Sequence, residues 1–153
     1  MRSLVFSFLL ALTLLMACQP IRLFDEIPAI QFESIEPRTA RENVDTVLLI
    51  FSFTDGDGDL GLEEGDTTND ITVIDKRTGA PAIGDVTFPY RMPYVTPPGQ
   101  SKQISGTVEL KMQNLFRRPG LLTDTVRYEI QIRDRANRFS NTITTPPVVI
   151  TGP

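Results

Sequence analysis

Residues 53–66 read FTDGDGDLGLEEGD and place Asp55, Asp57, Asp59, Glu63, Glu64 and Asp66 together with no basic residue among them. Like charges a few ångströms apart repel unless something bridges them. A hard divalent cation would do so. Carboxylates at every second position converge on one point when the backbone curls, and Ca2+ takes roughly six to eight oxygens at such a point. Gly56 and Gly58 remove the Cβ obstruction to that curl. The expected ligands are Asp55, Asp57 and Asp59, helped by Asp66 and by Glu63 or Glu64, with a backbone carbonyl near Gly61. An oxygen-only set favours Ca2+ over transition metals. The competing reading is a solvated Asp-Gly turn, a strong hairpin signal in its own right. A two-residue turn needs only one Asp-Gly pair, however, and here there are two with further acids behind them.

Other chemistries are excluded by what the 153-residue chain lacks: it has no His, no Trp and a single Cys. Without His there is no His-based triad, no imidazole metal ligand and no histidine pH switch. One Cys rules out an intrachain disulfide and a thiolate zinc cluster. No G-x-S-x-G motif is present, so a hydrolase would have to work with paired carboxylates.

The spacing of Asp55, Asp57 and Asp59 resembles the start of calcium loops of the EF-hand, dockerin and thrombospondin type-3 kinds. Asp66 then falls at position 12 of the loop and Glu63 at position 9. Position 6, a Gly in those loops, is Leu60 here, and a strand rather than a helix leads in. The resemblance therefore extends to ligand spacing and not to the EF-hand fold.

The single Cys follows an apolar leader. Arg2 precedes the run LVFSFLLALTLLMA, which reads as a secretory signal peptide too short for a comfortable membrane span. Its end, Leu15-Met16-Ala17-Cys18, resembles the bacterial lipobox, with Met16 a mild departure. That resemblance implies a leader over residues 1–17 and a lipid on Cys18, with plain secretion and a free thiol as the alternative. Gln19 rather than Asp follows the Cys, which by likeness to lipoproteins of diderm bacteria implies the outer membrane, on its periplasmic or its outer face. Residues 18–28, with Pro20 and Pro28, read as a tether, and residues 29–153 as one domain.

What positions the acidic loop is a set of strands. TVRYEIQIRD alternates strictly, with Val126, Tyr128, Ile130 and Ile132 on one side and charged or polar residues on the other. GTVELKMQ repeats the pattern, and DTVLLIFSFTD, immediately before the loop, reads as a buried central strand. Weaker strands are expected at AIQFESI, at 70–75, at 85–95 and in TITTPPVVI, where the prolines restrict the last two to edges or bulges. These segments imply an all-β fold, an antiparallel immunoglobulin-like β-sandwich of about seven strands. YEIQIRDRANRFSNTITT resembles the last two strands of bacterial immunoglobulin-like domains. If 45–54 and 124–133 are the second and sixth strands of such a domain, the acidic loop and residues 134–141 share one end. Arg133, Arg135 and Arg138 would then lie near the loop, with Asp134 or Asn137 offering a further oxygen.

With lipobox, tether, FSFTDGDGDLG and these terminal strands, the chain resembles uncharacterised lipoproteins of the Bacteroidetes, which implies location and architecture. Net charge is −4, and −5 after removal of a leader carrying only Arg2, which speaks against nucleic acid as a partner. The expectation is a lipid-anchored, non-enzymatic binding module with a protein or glycan partner. A structural subunit of an envelope assembly and a small carboxylate-dependent hydrolase are the alternatives. Phe88, Tyr90 and Tyr94 are either an exposed aromatic cluster for such a partner or core residues of an edge strand.

Overall fold

The computed structural model of the protein describes residues 23–63, 65–79, 84–97 and 101–153; the leader, Cys18 and Glu64 lie outside the described residues. Nine strands and no helix occur among them: β1 (Ala29–Glu36), β2 (Thr39–Arg41), β3 (Val47–Asp55), β4 (Ile71–Lys76), β5 (Val86–Tyr90), β6 (Ile104–Met112), β7 (Thr123–Ile132), β8 (Ile143–Thr144) and β9 (Val148–Thr151).

They form two sheets, one in the order β1-β3-β6 and the other β2-β9-β7-β4-β5, with β8 beside β7. The first strand of the fold is divided between the sheets. β1 pairs antiparallel with β3, and after the cis Glu36–Pro37 peptide β2 runs parallel to β9 in the opposite sheet. Sharing strands in this way gives an immunoglobulin-like β-sandwich.

Period-two alternation explains which side chains fill the sandwich. β7 buries Val126, Tyr128, Ile130 and Ile132, as the sequence pattern requires, and β3 alternates buried and half-buried residues along its whole length. The inner faces meet through Leu49 and Phe51 of one sheet and Val73, Ile130 and Ile150 of the other, all fully buried. β6 sets Leu110 and Met112 inward with Glu109 and Lys111 outward.

The number of strands exceeds about seven because β2 and β8 have only three and two residues. β2 shows no period of its own; it is a strand because β9 offers it a parallel edge. The strand expected over 85–95 ends at Tyr90. Pro89 sits in β5, an edge strand, where a missing backbone donor is tolerated. Pro146 and Pro147 separate β8 from β9.

Candidate metal centre

Asp55 is the last residue of β3, and strand period decides its environment. Val47, Leu49, Phe51, Phe53 and Asp55 occupy the buried positions in succession, so a carboxylate is carried inward on the core-facing side of the strand. Its exposure is 0%. The chain then turns on glycines that must be glycines. A Cβ at Gly56 would stand 2.5 Å from the Phe24 carbonyl oxygen and 2.6 Å from that of Asp25. Gly58 adopts φ 72°, and a Cβ there would collide with the Lys102 carbonyl. The curl is thus enforced by close backbone neighbours, and it brings the side chains of Asp55, Asp57 and Asp59 together.

One ligand oxygen from each of the three aspartates can be chosen so that all lie within 4.8 Å of one another. Oxygens bound to one Ca2+ at about 2.3–2.6 Å can be at most about 5 Å apart, so the spacing fits a single ion. Both oxygens of Asp55, with Oδ1 of Asp57 and Oδ1 of Asp59, are buried and have no hydrogen-bond partner among the described residues. Buried polar atoms are almost always paired, so four unpartnered carboxylate oxygens in one place need a physical reason.

The remaining oxygens are held by the neighbouring loop. Residues 134–138 form a tight turn with Asn137 at φ 64°, and the Arg138 side chain folds back from it. Arg138 donates through Nε to Asp134 Oδ2 at 2.6 Å, and through Nη2 to Asp57 Oδ2 at 2.5 Å and Asp59 Oδ2 at 3.2 Å. The Ala136 amide donates to Asp59 Oδ2, also at 3.2 Å. One guanidinium is therefore shared by Asp57, Asp59, Asp134 and Glu26, and none of its bonds reaches Asp55. The expected nearness of the two loops is realised through Arg138. Asp134 accepts from the Arg138 amide and guanidinium. Arg135 lies against the acidic loop differently. It donates to the Leu60 and Gly61 carbonyls at 3.2 and 3.0 Å and stacks on Tyr94, 4.6 Å from the ring centroid. Arg133 turns to Asn137 and to the Asn69 carbonyl.

The electrostatics follow from this imbalance. Burial, reinforced by the charges of Asp57, Asp59 and Asp134, pushes the Asp55 carboxyl up to about 6. Asp59 is raised by burial and by the charges of Asp134 and Asp57, against the pull of Arg138. Asp57 also pays for burial, yet its hydrogen bond from Arg138 holds it below the ordinary range.

Glu63 and Asp66 do not join the group of acids formed by the three aspartates. Gly61 adopts φ 82° and its carbonyl accepts from Arg135. Glu63 is exposed and its carbonyl accepts from Arg91 at 3.3 Å. Asp66 accepts from the Thr68 amide and hydroxyl, both at 2.8 Å, and that capping lowers its pKa. Glu63 and Asp66 instead line a shallow groove of about 450 Å³ with Arg133 and Arg135. Phe88 and Tyr90 pack against the core, in keeping with an edge strand rather than an exposed aromatic cluster.

No protein-family model matches the sequence, and no curated protein does. Among solved structures, a Niemann-Pick type C2 protein from the Japanese carpenter ant is similar over 86% of this chain and 98% of that one, with 13% identity and a TM-score of 0.39. At that level the likeness carries no argument about ligand or role. No helix among the described residues is long and apolar enough to cross a membrane.

Proposed function

We propose that the protein is a non-enzymatic interaction module of the bacterial cell envelope, held at the outer membrane by a lipid on Cys18, with a Ca2+ ion organising one end of its sandwich. The observation that carries the metal reading is Asp55, which is fully buried with neither carboxylate oxygen hydrogen-bonded and faces Asp57 and Asp59. A buried, unpaired carboxylate is costly, and a divalent cation lowers that cost by offsetting most of the excess of acids over the single arginine. The donor set fits a hard ion: four unpartnered carboxylate oxygens, with water and backbone carbonyls completing the shell. Glu63 and Asp66 would join only if their side chains moved toward the three aspartates.

The reading as a binding module is supported by the β-sandwich and by the lack of any nucleophile motif or His. The lipid anchor rests on the sequence around Cys18. Calorimetric titration of the full chain tests the metal. Wild type should bind one Ca2+ with a dissociation constant of about 10⁻⁴–10⁻³ M, in the range of extracellular modules. Mg2+ should bind more weakly, and Asp57→Asn should abolish the heat signal without unfolding the domain. Equal responses to Ca2+ and Mg2+ would reduce the loop to a screened turn. Metabolic labelling with a fatty-acid analogue tests the anchor: wild type should be labelled, and Cys18→Ala should move to the soluble fraction.

A further inference from the structure

We infer that residues 23–28 form a strap whose docking is coupled to cation occupancy of the Asp55–Asp57–Asp59 cluster. The inference rests on the cation reading above. Three contacts tie the strap to the loop. The backbone of Gly56 lies directly against the Phe24 and Asp25 carbonyls, with no room for a side chain between them. Gln103 Oε1 accepts from the amides of Leu23 and Phe24, the latter at 2.9 Å, while the amide of the adjacent Lys102 donates to the Asp57 carbonyl at 3.2 Å. Glu26 Oε2 meets Arg138 Nη1 at 3.2 Å, on the same guanidinium whose Nη2 holds Asp57 and Asp59.

These docking points are Gly56 of the loop, Arg138 bonded to it, and Gln103, the chain neighbour of Lys102, which is bonded to it. The sign of the coupling follows from charge. Glu26 approaches a cluster in which carboxylates outnumber the guanidinium, so the excess negative potential works against it. A cation among the aspartates reduces that potential and fixes the Gly56 backbone against which Phe24 and Asp25 pack. Cation binding should tighten the strap, and by reciprocity a docked strap should tighten the cation.

Hydrogen exchange on the full chain reads the first half of this linkage at the amides of Leu23 and Phe24. In saturating Ca2+ these amides should exchange on the order of tenfold more slowly than in chelator, a coupling of ordinary allosteric size. Core amides of β7 such as Ile130 report only the global stabilisation by the ion, and Gln103→Ala should remove the slowing at Leu23 and Phe24 while leaving that global response. Calorimetry reads the second half: Gln103→Ala, which removes the acceptor for both strap amides, should weaken Ca2+ binding about five- to tenfold. Ca2+ binding with unmoved Leu23 and Phe24 amides overturns the strap alone, as does wild-type affinity in Gln103→Ala. A wild-type chain that takes up no Ca2+ overturns the cation reading and the strap together.

Discussion

The two ends of the sandwich each bury a cluster of acids and arginines, with opposite electrostatic results. At the end opposite the acidic loop, Asp75 and Asp124 meet Arg77 and Arg118, all four nearly excluded from solvent. Arg77 grips Asp75 through Nε and Nη2 and reaches Asp124 at 2.7 Å, while Arg118 chelates Asp124 through Nε and Nη2. Arg77 also lies over the Phe116 ring, 4.3 Å from its centroid. Two negative charges meet two positive ones, and no carboxylate oxygen there is left without a partner. Burial works against the Asp124 carboxylate, but hydrogen bonds from Arg118 and Arg77 hold it well below the usual range. At the acidic-loop end, burial without enough donors raises Asp55 instead. Burial is common to both ends, so the number of donors decides the sign. The closed cluster is balanced from within, and the open one keeps an excess of carboxylate over guanidinium.

The largest expected effect sharpens the contrast at the closed end. Asp124→Ala should cost about 3–5 kcal/mol, because it removes the carboxylate that Arg118 chelates and that Arg77 shares with Asp75. Denaturant melts should show the same loss with and without Ca2+. A loss that Ca2+ reverses would mean the two ends are not independent.

Next comes the ion itself. Binding to the native state alone should stabilise the wild type by about 2.7 kcal/mol when Ca2+ stands at 100 times its dissociation constant. Thermal melts in Ca2+, in Mg2+ at equal ionic strength and in chelator measure this. Asp57→Asn should lose most of the gain.

A smaller effect concerns pH. Asp55 has a folded pKa raised to about 6 from 3.8, so between those values the native state holds a proton that the unfolded chain has released. Stability in chelator should therefore carry a contribution that falls as pH rises from about 4 to 6. The difference between wild type and Asp55→Asn isolates it. In chelator at neutral pH the variant should be the more stable, and in Ca2+ the less stable. A variant that is destabilised in chelator as well would show that Asp55 has donors of its own and would erase the distinction between the ends.

The smallest effects are expected at Glu63 and Asp66. Glu63→Ala, at an exposed position, should change stability by no more than about 0.5 kcal/mol, and Asp66→Ala, which loses the two bonds from Thr68, by about 0.5–1.5 kcal/mol. Their Ca2+ affinity in titration calorimetry should stay within a few-fold of wild type. A loss comparable to that of Asp57→Asn would place them in the coordination shell.

Much of the fold was legible because alternation is a local signal. The alternation in GTVELKMQ and TVRYEIQIRD was enough to orient two long strands, the apolar run before the acidic loop marked a central one, and the immunoglobulin-like resemblance brought two distant loops to one end. The same periods mark the buried acids, and there the meaning is easier to miss. Asp55 continues the series Val47, Leu49, Phe51, Phe53; Asp75 continues Ile71, Val73; Asp124 begins the series Val126, Tyr128, Ile130, Ile132. An acid in phase with the core is carried inward whatever its charge, so strand parity separates Asp55 from Glu63 and Asp66 better than calcium-loop spacing does. The grip of Arg138 was beyond local reading. It depends on a turn with Asn137 in the left-handed region and on a guanidinium whose partners are about eighty residues away in sequence. β2 was equally silent, because its only strand-forming influence is the edge of β9.

The docked segment 23–28 also bears on orientation. Leu23 is held at the acidic-loop end by Gln103. Five peptide units, whatever their path, carry the chain no farther than about 18 Å. With a lipid on Cys18, as proposed, the bilayer surface must therefore lie within that distance of Leu23. The domain would stand on its acidic foot, with divalent ions of the headgroup layer at hand. The arginine-bearing summit around residues 116–127 would point away from the lipid, and a soluble partner would meet that summit first.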